Sequence, residues 1–103
     1  MNKNDIDILA WLQDWYASQC DGMWEQDKRI QISTLDNPGW RVLININDTF
    51  LMGKDVTMKK IINNDDHWLN YWVKDNLFEA VGGSRNLSDI LHIFRRWVEQ
   101  GVI

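Results

Sequence analysis

Histidine and cysteine, the side chains most used for nucleophilic, acid–base and metal chemistry, number three in this 103-residue chain: His67, His92 and Cys20. His67 follows Asp65 and Asp66, and together the three could offer donors to a metal. A solvated polar turn explains the same residues more simply. Cys20 stands at the end of a helical stretch, where a small buried side chain is the simpler reading. Gly82-Gly83 precedes a helix and could cradle a phosphate. No lysine or Ser/Thr-rich motif accompanies the pair, so a plain corner suffices. No His-x-x-x-His, Cys-x-x-Cys or Gly-Lys-Ser/Thr pattern occurs. The sequence therefore names no catalytic residue, no metal ligand and no cofactor site.

What the chain has in excess is tryptophan, seven residues in all. Tryptophan brings large apolar area and an N–H that needs a partner, and it anchors many protein interfaces. Trp11, Trp15 and Trp97 fall on helical stripes and are expected in the core, as is Trp72 in a strand. Trp24, Trp40 and Trp68 sit at turns or strand ends, where they either close the core or meet a partner. The net charge is −4 and the pI about 4.9. Nucleic acids and anionic membranes select for basic surface, so neither is an expected partner. A basic protein surface fits better. A single cysteine allows no internal disulfide. The N-terminal stretch has no apolar segment of signal-peptide type, and no run approaches the ~18 residues needed to span a bilayer. A cytoplasmic location is expected.

The elements that must position these residues follow from periodicity. Asn4 to Gln19 reads as an amphipathic helix capped by Asn4, with Asp5 and Asp7 in its first turn and Ile8, Trp11, Leu12 and Trp15 on one face. Lys28–Thr34, Trp40–Asn47, Val56–Ile62, His67–Lys74 and Leu77–Val81 read as strands. Asn37-Pro38-Gly39-Trp40 reads as a type II turn with Gly39 at the positive-φ position. Asp75-Asn76 reads as a two-residue hairpin turn, since both residues tolerate the left-handed region. Asn86 to Gln100 is a second helix, with Asn86 as cap, Asp89 three residues on, and Gly101 after its end. Short connections make neighbouring strands antiparallel. The expected fold is a single α+β domain, residues 1–103. It has a five-stranded antiparallel meander in chain order, with the N- and C-terminal helices packed on one face.

Trp11-Leu-Gln-Asp-Trp-Tyr, Gln19-Cys-Asp-Gly-Met-Trp-Glu, the run from Ile30 through Thr34-Leu-Asp-Asn-Pro-Gly-Trp40, and Phe78-Glu-Ala-x-Gly-Gly followed by Asn86-Leu together resemble the immunity protein 53 family. That family comprises small bacterial cytoplasmic proteins encoded beside polymorphic toxins. The chain departs at Met23, where an acidic residue is expected. The resemblance covers nearly the whole chain. It implies a protein that binds and neutralises a cognate toxin domain in bacterial competition, without catalysis; a monomer or small homo-oligomer is expected. Asp21, Trp24, Glu25, Asp36, Asn37 and Trp40 are the expected contact set. They lie outside the core stripes, mix acid with aromatic, and fall in loops, where binding residues concentrate. A basic toxin surface would suit them. The alternative is a small-ligand or enzymatic α+β domain with a tryptophan-lined pocket between sheet and helices.

Overall fold

Two helices bracket five strands in the structure, a computed structural model that describes the backbone of residues 3–103 and the side chains of residues 7–103. The order is α1 (Lys3–Gln19), β1 (Ile30–Leu35), β2 (Gly39–Asn45), β3 (Val56–Asn64), β4 (His67–Lys74), β5 (Leu77–Gly82) and α2 (Leu87–Gln100), with one 3-10 turn at Trp24–Gln26. The expected Asn4 cap and first-turn Asp5 lie outside the described side chains. All strand pairs are antiparallel, as short links require.

The sheet is not a meander in chain order. Its strands lie β1-β2-β5-β4-β3, so β2 pairs with β5 and β3 forms the far edge. Strands β2 to β5 thereby make a Greek key, a three-stranded meander whose last strand lies beside β2. The cause is the connection at residues 46–55. It must cross three strand spacings, roughly 14 Å at ~4.8 Å each, and it is anchored on the way. Leu51 is buried in the core. Thr49 Oγ1 donates to the Ile46 carbonyl at 2.7 Å and accepts from the Leu51 N–H at 3.2 Å.

One face of the sheet carries the core. Val42 and Ile44 stand opposite Ala80 and Phe78, which stand opposite Tyr71 and Val73. All six are buried, and both helices pack on this side through Ile8, Leu12 and Trp15 of α1 and Ile90, Leu91, Phe94 and Trp97 of α2. Phe94 is the centre of an aromatic cluster, with ring centroids 4.9 Å from Trp15, 5.3 Å from Phe78 and 6.3 Å from Trp97. Trp72 corrects the sequence reading. Along β4, Leu69, Tyr71 and Val73 take the inward positions, so Trp68 and Trp72 face outward, half-buried. Cys20 is exposed rather than buried, with Sγ 3.3 Å from the Tyr16 carbonyl.

Turn chemistry is mixed. Asp75 (φ 53°) and Asn76 (φ 63°) form the left-handed pair expected between β4 and β5. Gly101 (φ 70°) closes α2, its N–H on the Trp97 carbonyl. Gly39, by contrast, has no positive φ and pairs with Leu35 as strand, so the turn is Asp36–Pro38 rather than a type II turn centred on Pro38-Gly39. What requires glycine there is contact: a Cβ on Gly39 would overlap the Gly82 carbonyl of the neighbouring strand. Asn86 begins α2 but makes no side-chain cap. Its Oδ1 accepts from the Trp68 N–H at 3.2 Å and its Nδ2 donates to Asp89 at 2.8 Å, which ties the start of β4 to α2.

Trp97 is 3% exposed. Trp97→Ala should cost about 3–5 kcal/mol in urea unfolding; a loss below about 1 kcal/mol would show that Trp97 is not part of the core. Gly39→Ala should lower the melting temperature by pushing β2 from β5, although alanine suits any strand φ, and an unchanged melting temperature would contradict the close approach.

Candidate functional site

The six residues expected to meet a partner fall into two groups at opposite ends of the β1–β2 hairpin. Asp21, Trp24 and Glu25 lie before β1, whereas Asp36, Asn37 and Trp40 lie at the turn after it. The two groups are separated by the length of β1, roughly 20 Å for six residues at ~3.3 Å each.

The first group is held by its own chain. Asp21 Oδ1 accepts from the N–H groups of Trp24 (3.0 Å) and Met23 (2.9 Å), and Glu25 Oε1 accepts in return from Asp21 (3.0 Å) and Gly22 (3.1 Å). This is the reciprocal logic of a capping box, built around a single 3-10 turn. The turn carries Trp24 into the core, where it is 3% exposed. Its Nε1 donates to the Asn47 carbonyl at 2.9 Å and its ring meets Trp15 edge-on at 5.9 Å. Arg29, buried just before β1, lies with its guanidinium 5.1 Å from the centre of the Trp24 ring and donates through Nε to the Trp24 carbonyl. In the second group, Asp36 and Asn37 are exposed at the hairpin tip. Trp40 is half-buried and donates to the Ser84 carbonyl at 3.0 Å, closing the corner between β5 and α2. That corner spends its amides internally: the Gly83 N–H bonds the Trp68 carbonyl and the Asn86 N–H bonds the Gly83 carbonyl, each at 3.0 Å.

A different surface gathers aromatic and charged groups: the face of the sheet turned away from the helices. Register places its residues in rows. Ser33, Arg41, Val81, Asn70 and Lys60 form one, and Gln31, Leu43, Glu79 and Trp72 the next; Ile62 lies opposite Trp68. Antiparallel sheets with one solvated face usually turn polar residues outward. Here Leu43, Leu77, Val81, Trp68 and Trp72 are half-buried on that face, and Ile62 is 72% exposed. Arg41 and Glu79, diagonal neighbours, form an ion pair at 2.7 Å. Beside Trp68 lies a cleft of about 240 Å³ lined by Lys60, Ile62, Asn64, Asp65, Trp68 and Asn70. Asn70 Oδ1 is buried there and has no hydrogen-bond partner among the described residues. Sequence reading missed this face because the alternation of β4 identifies two sides without saying which one points inward.

Chemistry is sparse elsewhere. A cleft of about 510 Å³ between α1 and β1 is lined by residues including Leu12, Tyr16, Glu25, Lys28, Arg29 and Ile30, and no tryptophan. The tryptophans expected to line a ligand pocket between sheet and helices instead pack on each other and on Phe94. Among the described residues no group of three or more His, Cys, Asp or Glu side chains is placed to hold a metal. Among them, too, no helix is long and apolar enough to cross a membrane. His67 is exposed, and His92 Nδ1 lies 2.8 Å from the Ser88 carbonyl of its own helix.

A family model described as immunity protein 53 matches residues 9–99. The chain belongs to the immunity protein 53 family. The match runs from within α1 to the last turn of α2 and takes in all five strands. No curated protein and no solved structure matches the chain.

The amides of Trp24 and then Met23 hold the Asp21 carboxyl below its ordinary range. A carboxyl with a depressed folded-state pKa stabilises above its unfolded value, and that contribution is lost as pH falls through the folded one. Asp21→Asn keeps the acceptor and removes the charge. It should lower the melting temperature at neutral pH, with the difference from the parent vanishing in acid; a pH-independent difference would contradict the charged cap. Glu25→Lys removes two acceptor contacts and should lower the melting temperature, whereas Asp36→Lys at the hairpin tip should not.

Proposed function

We propose that this chain is an immunity protein that binds a cognate toxin domain and blocks it by occupancy, without chemistry of its own. It would act in the cytoplasm of a bacterium that deploys polymorphic toxins against competitors. Family membership supports the class of function. The observation that carries the mode of action is the uncovered sheet face with Trp68 and Trp72 on it. Tryptophan in a half-buried, apolar setting ringed by charge is the composition of an interface hot spot. The unpaired Asn70 Oδ1 supports the same reading, because a donor from a docked chain would complete it. Asp36 and Asn37, exposed at the tip of the β1–β2 hairpin, are proposed as rim contacts. Asp21, Glu25 and Trp24 would support the fold behind the interface.

Co-expression with the toxin domain encoded beside this chain should restore growth, and failure of both rescue and complex formation would overturn the proposal. Trp72→Ala should weaken the complex by roughly 2 kcal/mol or more, about thirtyfold in Kd, while the chain stays folded. Calorimetry showing unchanged affinity for both Trp68→Ala and Trp72→Ala would remove the sheet face from the interface.

A further inference from the structure

β3 is an edge strand of unusual exposure. It runs nine residues, Val56–Asn64, all but Val56 exposed. Three of its large apolar side chains face water: Met58 at 47%, Ile61 at 42% and Ile62 at 72%. One side of its backbone is paired with β4, and the other meets no strand among the described residues. β1, the opposite edge, has six residues. Register shifts interrupt β3 between Val56 and Lys59 and between Ile62 and Asn64, so its regular stretch is Lys59-Lys60-Ile61-Ile62.

Clefts flank that stretch on both faces of the sheet. On the outer face lies the 240 Å³ cleft that Lys60, Ile62, Trp68 and Asn70 help to line. On the inner face, between β3 and α2, lies one of about 300 Å³ bordered by Ile61, Leu69, Asp89, His92 and Ile93. Side chains of a strand alternate between faces. A strand added to this edge would therefore place successive side chains in the two clefts, while its backbone paired with β3.

We propose that β3 takes up a strand of the toxin domain, and that this strand is acidic at its centre. The inference rests on the toxin-binding reading above and names the contact. Charge identifies the occupant. Lys59 and Lys60 project to opposite faces at the middle of the edge, Lys59 donating through Nζ to the Ile103 carbonyl, with Asp55 just before the strand and Asp65-Asp66 just after it. The five strands together hold four basic residues, Arg41, Lys59, Lys60 and Lys74, and one acid, Glu79, in a chain of net charge −4. The strands, and the centre of the β3 edge, are thus basic, although the chain is acidic and aspartates flank both ends of β3. A second copy of this chain is the wrong occupant. Fully overlapped antiparallel pairing of two β3 strands would set Lys60 against Lys60 and Asp55 against Asp65, and like charges directly opposite destabilise a sheet. Lysines on an edge are also a common guard against self-pairing. A strand with acids opposite the two lysines and apolar residues beside Ile61 and Ile62 satisfies the same positions.

The test is amide hydrogen exchange on the whole chain, free and with the purified toxin domain encoded beside it. Amides on the free side of β3 should slow by about tenfold or more on alternate residues of Lys59–Ile62, since pairing protects every second N–H. The Lys59→Glu/Lys60→Glu variant, checked for folding by its melting temperature, should bind the toxin domain about tenfold or more weakly. A complex that forms with β3 exchange unchanged overturns the strand-addition proposal and leaves the toxin-binding reading standing. No complex at all overturns both. A free chain that sediments as a dimer and dissociates on the double lysine substitution shows a second copy on the edge, and overturns the proposal as well.

Discussion

The pairing of β2 with β5 is the contact on which the rest of the sheet depends. It joins the β1–β2 hairpin to the β3–β4–β5 meander through six register pairs, from Trp40–Gly82 to Asn45–Leu77. Its inward positions, Val42, Ile44, Phe78 and Ala80, are the floor on which both helices rest. The approach is close enough that Gly39 has no room for a side chain beside the Gly82 carbonyl. Two further ties lock the same end of the sheet: Trp40 to the Ser84 carbonyl, and Asn86 between β4 and Asp89. Once this pairing forms, the β3–β4–β5 meander leaves β3 at the rim. The exposed edge is a consequence of the central pairing rather than a separate feature.

Charge is sorted by element. The acids sit in helices, loops and turns, and the strands are basic apart from Glu79, which is engaged by Arg41. A net charge taken over the whole chain therefore says little about the sign of the surface a partner meets. Several acids near the hairpin are committed to local structure. Asp21 and Glu25 satisfy amides around the 3-10 turn that delivers Trp24 to Trp15. That turn plugs the end of the core below the 46–55 connection through the bond from Trp24 Nε1 to the Asn47 carbonyl.

The elements were legible in the sequence because their signals are local. Helical spacing marks Ile90, Leu91, Phe94 and Trp97, strand alternation marks Val42 and Ile44, and Asp75-Asn76 announces its turn through backbone preference. Strand order was not legible. Whether β2 pairs with β3 or β5 depends on where residues 46–55 anchor, and Leu51 in that loop carries no periodic signal. The inward side of β4 was ambiguous for a related reason. Trp68 and Trp72 are as apolar as Leu69, Tyr71 and Val73, and only the partners Phe78, Ala80 and Gly82 decide between them. Trp24 was hidden by sitting in an aperiodic connector, and Arg29 by falling in the expected strand Lys28–Thr34, although β1 begins only at Ile30; tertiary contact alone shows that both are buried.

Neutralisation by occupancy implies a fixed stoichiometry, because a blocker is consumed by what it blocks. The most direct test is to titrate this chain into a fixed amount of the purified toxin domain while following toxin activity. The account predicts that inhibition is complete at a fixed whole-number ratio of chain to toxin. It also predicts that active toxin is recovered when the complex is dissociated in denaturant and the toxin refolded. Complete inactivation at a small fraction of an equivalent, with the toxin covalently altered afterwards, would show turnover and contradict it.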